Sequence, residues 1–230
     1  MPEQILLALA PQAGAHWLEH ALPDERTVAA LVGLNRDFLA LVGELGAARP
    51  GMPALGLPGH LAAGAARAAA AIGTRLRLPF ALFDLRFRDG RYWQSQAAAA
   101  AAVRDGPGAA VTETRALHFT RAALTFAWHI VQRDGAAARL ALGLDGGTEA
   151  VIGELPVGAL DGLARRTAPV LAARFCTRER FWELLLGDAA GQAATPQRLA
   201  RMRLLGQQLQ GMEAARLRQL HRRARRSSQA

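Results

Sequence analysis

An all-α fold is what the residue pattern predicts, and three features predict it. The chain is rich in alanine, leucine and arginine, which lose little on entering a helix. Apolar side chains recur at three- and four-residue steps. Glycine and proline punctuate those runs, as the corners between helices require. The stretch from Leu124 to Phe175 shows all three together, and the rest of the chain is organised around it.

Taken in order, Met1–His20 carries Glu3, lacks a basic n-region and is interrupted by Pro11, so it does not read as an export signal. Residues 24–45 predict a helix capped by Asp24, with Val28, Leu31, Val32, Leu34, Phe38, Leu39, Leu41 and Val42 forming its apolar stripe. Pro50, Pro53 and Pro58 make 46–59 a corner, and Leu61–Leu78 predicts a second, alanine-rich helix. Phe80, Leu82, Leu85 and Phe87 alternate in bulk, which predicts a short extended hairpin around 79–93, closing at Asp89-Gly90. Tyr92–Val103 predicts a helix. Residues 104–111, with Asp105-Gly106-Pro107-Gly108, predict a linker.

A second series follows. Thr112 or Thr114 caps a helix ending at Arg133, and short helices are expected at Gly135–Leu142, Thr148–Ile152, Val157–Arg166 and Pro169–Ala173. The Gly143–Gly147 turn and Pro156 separate them. Leu124, Phe126, Ile130, Leu142, Leu155, Leu163, Leu171 and Phe175 are the expected core of this half.

The two series repeat one another. Ala54-Leu55-Gly56-Leu57 recurs as Ala141-Leu142-Gly143-Leu144 at an offset of 87, and Arg86-Phe87 recurs as Arg174-Phe175 at 88. Tyr92-Trp93 recurs as Phe181-Trp182 at 89, and Arg36 and Leu39 match Arg121 and Leu124 at 85. Offsets that drift slowly in one direction are what a diverged tandem duplication with small insertions leaves behind. The expected organisation is a first copy over 1–103, a second over 112–190, and a C-terminal basic helix and tail over 195–230.

The second copy also resembles a known family. Phe126-Ala127, Gln132–Asp134, Ala136–Ala138, Leu142-Gly143-Leu144, Leu155, Leu163-Ala164 and Arg174-Phe175 follow the pattern of FlhD, the helical subunit of the bacterial flagellar master transcriptional regulator. The resemblance covers roughly residues 119–187. It implies an all-helical fold that dimerises through its helical core and pairs with an FlhC-like subunit to bind promoter DNA. Two copies in one chain would then form an internal pseudo-dimer, beside which a homo-oligomer stays open. The family's inter-subunit cysteine falls at Leu171, so that link is absent, and Cys176 is not its equivalent.

Little in the chain suggests chemistry. His129 with Asp134 could be drawn as a base and its orienter, but no nucleophile, metal partner or phosphate loop accompanies them. A core or interface histidine is the reading we adopt. Glu179 and Glu183 lie one turn apart between Arg178 and Arg180, as a solvated face does. The single cysteine leaves no internal disulfide or cysteine zinc site and suits a cytoplasmic setting. No apolar run reaches the ~18 residues of a membrane helix; Leu61–Ile72 comes nearest and carries Arg67. The expectation is a protein that is no enzyme, holds no cofactor or metal, and does not span a membrane.

Charge is concentrated at the end. All 28 basic residues are arginine, which reads as genomic composition rather than function. From Arg198 onward nine arginines face one acid, Glu213, so this segment carries +8 of the chain's +9. Thr195-Pro196 caps a helix whose Leu199, Met202, Leu205, Leu209, Met212, Leu217 and Leu220 give an apolar stripe. Arg216, Arg218, Arg222, Arg223, Arg225 and Arg226 are the candidate nucleic-acid-binding residues. An acidic protein partner and a merely solubilising end are the other readings of this tail. Two functions follow: a FlhD-like transcriptional regulator of motility or virulence type, or a helical adaptor of a flagellar or type III secretion apparatus.

Overall fold

A computed structural model of the chain describes residues 23–71, 77–102, 114–187 and 204–212, together with 200, 215 and 219. The architecture is mostly helical. Helix α1 (Glu25–Ala48) begins where the Asp24 carboxylate accepts the Thr27 amide at 2.7 Å, which satisfies one of the orphan donors of its first turn. That bond holds the Asp24 carboxyl below its ordinary range. Leu31, Phe38, Leu39 and Val42 face inward. Helix α2 (Gly59–Ala71) packs along α1 at very close range: a Cβ at Gly43 would lie 2.6 Å from that of Ala66. The alanine richness of α2 thus serves packing as well as helix propensity.

The described residues 77–82 lead into the first strand as one segment. Asn35, fully buried in α1, holds it with both ends of its side-chain amide: Nδ2 donates to the Phe80 carbonyl at 2.9 Å and Oδ1 accepts from the Leu82 amide at 2.8 Å. Strand β1 (Phe83–Asp84) follows, then helix α3 (Gly90–Ala102). The hairpin expected within 79–93 does not form. Asp89 caps α3 by accepting the Tyr92 amide at 2.9 Å, and β1 instead pairs antiparallel with β2 (Ala172–Ala173), Phe83 opposite Ala173 and Asp84 opposite Ala172. The extended arm was legible; its partner lay nearly ninety residues away.

The second half begins with α4 (Arg115–Arg133), capped by Thr114, and α5 (Gly135–Leu142), capped by Asp134. Then come α6 (Gly146–Glu154), α7 (Ala159–Thr167), a 3-10 turn (Ala168–Val170), β2 and α8 (Glu179–Gly187). The helix expected over Pro169–Ala173 is only that 3-10 turn. Beyond it the chain extends, because the Ala173 amide donates to the Leu55 carbonyl and the Arg174 amide to that of Leu82.

Packing interleaves the halves. Helix α2 packs on α8, while α3 packs on α6 and α7. Helices α1 and α4 run antiparallel, joined by Asp24–Arg133 at 3.0 Å, the Phe38 and Phe119 rings 5.6 Å apart, and Glu44–Arg115 at 2.8 Å. Trp93 and Trp182 are both fully buried; each indole donates at 3.1 Å, the first to the Arg86 carbonyl and the second to that of Arg174. The two Ala-Leu-Gly-Leu turns each place glycine in the left-handed region, at φ +84° for Gly56 and +76° for Gly143. Of the expected core, Leu124, Ile130, Leu142, Leu155, Leu163, Leu171 and Phe175 are buried, while Phe126 is half-buried on the rim of a groove.

Candidate nucleic-acid interface

Arg216, Arg218, Arg222, Arg223, Arg225 and Arg226 lie outside the described residues, as do the expected linker 104–111 and the Thr195-Pro196 cap. What is described is the helix that leads into the arginine-rich end, α9 (204–212). It docks on the body through its apolar stripe: Leu209 is buried and Leu205 half-buried. Gly206 makes the close approach possible, since any Cβ there would fall inside the Phe80 ring. Phe80 cannot readily yield, being packed against Phe175 at 6.1 Å and Phe181 at 6.3 Å. Gln210 Nε2 donates to the Leu140 carbonyl at 2.6 Å and fixes the helix lengthwise. The end of the described helix, Met212, therefore sits at a defined place on the body.

That place is the rim of a recess of about 430 Å³ whose floor is the β1–β2 pair. Leu209 and Met212 of α9 form one wall. Three arginines line the rest, Arg88, Arg174 and Arg178, against one acid, Asp84. Arg174 is buried and committed: its Nη1 donates to the Ala141 carbonyl at 3.0 Å and its guanidinium lies 4.9 Å from the Phe175 ring centroid. Arg88 approaches Asp84 at 4.0 Å with its side chain a third exposed, and Arg178 is exposed. The sequence placed Arg88 only within the hairpin expected over 79–93 and Arg178 only as a flank of Glu179. No periodicity could reveal that long-range strand pairing brings them to one hollow.

The other sequence candidates separate. Asp134 caps α5 by accepting the Ala137 amide at 2.9 Å, so it is not an orienter of His129. His129 is exposed rather than a core residue, lining an apolar groove between α1 and α4 with Ala30, Leu34, Ala122 and Phe126. Its neighbour Trp128 is half-buried and donates to the Leu155 carbonyl at 3.0 Å. Glu179 and Glu183 are both exposed, and Glu179 pairs with His60 at 3.2 Å.

Two carboxylates beside these surfaces are held below their ordinary range. For Asp89 the Tyr92 amide is the main cause, ahead of Arg86. For Asp161 burial pushes upward, and the bonds from Arg121 and Arg165 outweigh it. Among the described residues no group of three or more His, Cys, Asp or Glu is placed to hold a metal ion, and no helix is long and apolar enough to cross a membrane.

Fold and site together describe an interleaved helical body with a basic recess and a basic C-terminal segment. No protein-family model, curated protein or solved structure matches the chain.

Proposed function

We propose that this chain is a FlhD-like transcriptional regulator that serves as its own pseudo-dimer and binds DNA through its arginine-rich C-terminal segment, alone or with a partner subunit. The carrying observation is the register of β1 and β2. At the 88-residue offset that relates Arg86-Phe87 to Arg174-Phe175, the counterpart of Asp84 is Ala172, and Asp84 pairs with Ala172. Pairing of a residue with its own counterpart is what a two-fold axis through an antiparallel ladder requires.

Three further features agree with that axis. The antiparallel register that sets Phe38 beside Phe119 centres the α1–α4 crossing near Arg36 and Arg121, which correspond at the offset of 85. The last helix of each half, α3 or α8, packs on the middle helices of the other. The buried tryptophans repeat one hydrogen bond. A family that dimerises through its helical core would, when duplicated in one chain, place that interface inside the molecule.

The test is a gel-shift salt series on the full chain and on a chain truncated after Leu220. Each phosphate neutralised contributes about 0.9 to the slope of log K against log salt. Truncation removes Arg222, Arg223, Arg225 and Arg226 and should flatten that slope by up to ~3.6 while leaving the melting curve unchanged. Tight binding indifferent to the truncation refutes the tail assignment. The groove at Ala30, Leu34, Ala122 and Phe126 favours a second reading, a helical adaptor that docks an apolar partner segment. Absence of DNA binding by the full chain, with a partner lost on truncation, decides for it.

A further inference from the structure

We propose that the recess over the β1–β2 pair takes phosphates of duplex DNA, with Arg88 and Arg178 as its phosphate-contacting residues. It thereby extends the tail's footprint across the body. The inference rests on the DNA reading above and adds to it a site in the body of the protein. Arg88 comes from the first half and Arg178 from the second, and the strand pair that lines the recess with them carries Asp84 opposite Ala172. The hollow thus lies at the point where a two-fold relation between the halves would pass, lined by a cation from each half. Duplex DNA has local two-fold axes of its own, and proteins with two-fold symmetry align on them.

Charge and reach both favour phosphate. The lining holds three guanidinium groups to one carboxylate. The arginine fork can donate two parallel hydrogen bonds to one phosphate, which makes it the better cation for such a contact. Met212 sits on the rim, and Arg216 and Arg218 follow it by four and six residues. At no more than ~3.6 Å per residue those two arginines stay within roughly 14 and 22 Å of Met212, whatever path the chain takes. A duplex carries one charge per ~1.7 Å of axis. Recess and tail can therefore engage one stretch of one duplex.

The test uses the full chain and a fluorescein-labelled duplex of about 30 base pairs, titrated by anisotropy over a salt series. R88Q/R178Q should lower the slope of log K against log salt by about 1.8, two phosphates at ~0.9 each. R26Q removes an exposed arginine of α1 that does not line the recess and should leave the slope within error. Because Arg88 also approaches Asp84, R178Q alone is the second variant; it avoids that contact and should lower the slope by about 0.9. Wild-type slopes in R88Q/R178Q and R178Q, or an equal fall in R26Q, overturn the recess and leave the tail reading standing. No binding by the unmodified chain overturns both.

Discussion

Asn35 is the polar residue on which the placement of β1 depends, and its replacement gives a sharp test. The side chain is fully buried and joins α1 to the Phe80 carbonyl and the Leu82 amide, at 2.9 and 2.8 Å. Asn35→Ala leaves both backbone groups buried without these partners. At ~1–3 kcal/mol for each unsatisfied group, the loss is about 2–6 kcal/mol. That is a large share of the ~5–15 kcal/mol that holds a typical domain folded.

Asn35→Asp sharpens the point by making the loss depend on pH. A neutral aspartic acid can still accept from Leu82 and donate to the Phe80 carbonyl. An ionised one sets a buried charge against that carbonyl oxygen. Burial and the carbonyl both raise the folded-state pKa above the ~3.9 of the unfolded chain. A raised pKa means stability present below ~3.9 and lost as pH rises through the folded value. Thermal melts of wild type and N35D at about pH 4 and pH 7 read this directly: the gap should be small at the lower pH and wide at the higher. Equal gaps at both, or an N35A melt unchanged within error, would refute the role given to Asn35.

Trp182→Phe should cost about 1–3 kcal/mol, because it removes the indole that satisfies the Arg174 carbonyl. Trp93→Phe should cost less, because the Arg86 carbonyl also accepts from the Asp89 amide, and a melt unaffected by Trp182→Phe would contradict the role given to its indole. Asp89, held below its ordinary 3.8 chiefly by the Tyr92 amide, adds stability that is full above that value and lost as pH falls through the folded one. Asp89→Asn should therefore lie below wild type at pH 7 and converge with it as acid protonates the folded-state carboxylate, and a constant difference between the two melts across that range would contradict the cap.

Local structure was readable where local chemistry decides it. Gly135–Leu142 is bounded as expected, because Asp134 caps its start and Gly143, in the left-handed region, ends it. Asp24 and Thr114 likewise mark α1 and α4. What the sequence hid depends on distant pairing. Phe83–Asp84 looked like a hairpin arm because alternation reveals an extended segment but never its partner. Residues 169–173 looked helical because the small residues there suit a helix, and only the bonds to Leu55 and Leu82 draw the chain out. Asn35 was invisible within an apolar stripe, since its value lies in two carbonyl and amide groups more than forty residues on. The recess is of the same kind: Arg88 and Arg178 line one hollow only once β1 meets β2.

An internal pseudo-dimer makes a simple demand on the molecule in solution. In the proposed arrangement its two-fold contacts would be satisfied within one chain, so a second chain would add nothing to them. Sedimentation velocity of the full chain at micromolar concentration should give a single species at the mass of one chain, 24.5 kDa. A stable species of twice that mass would contradict the account.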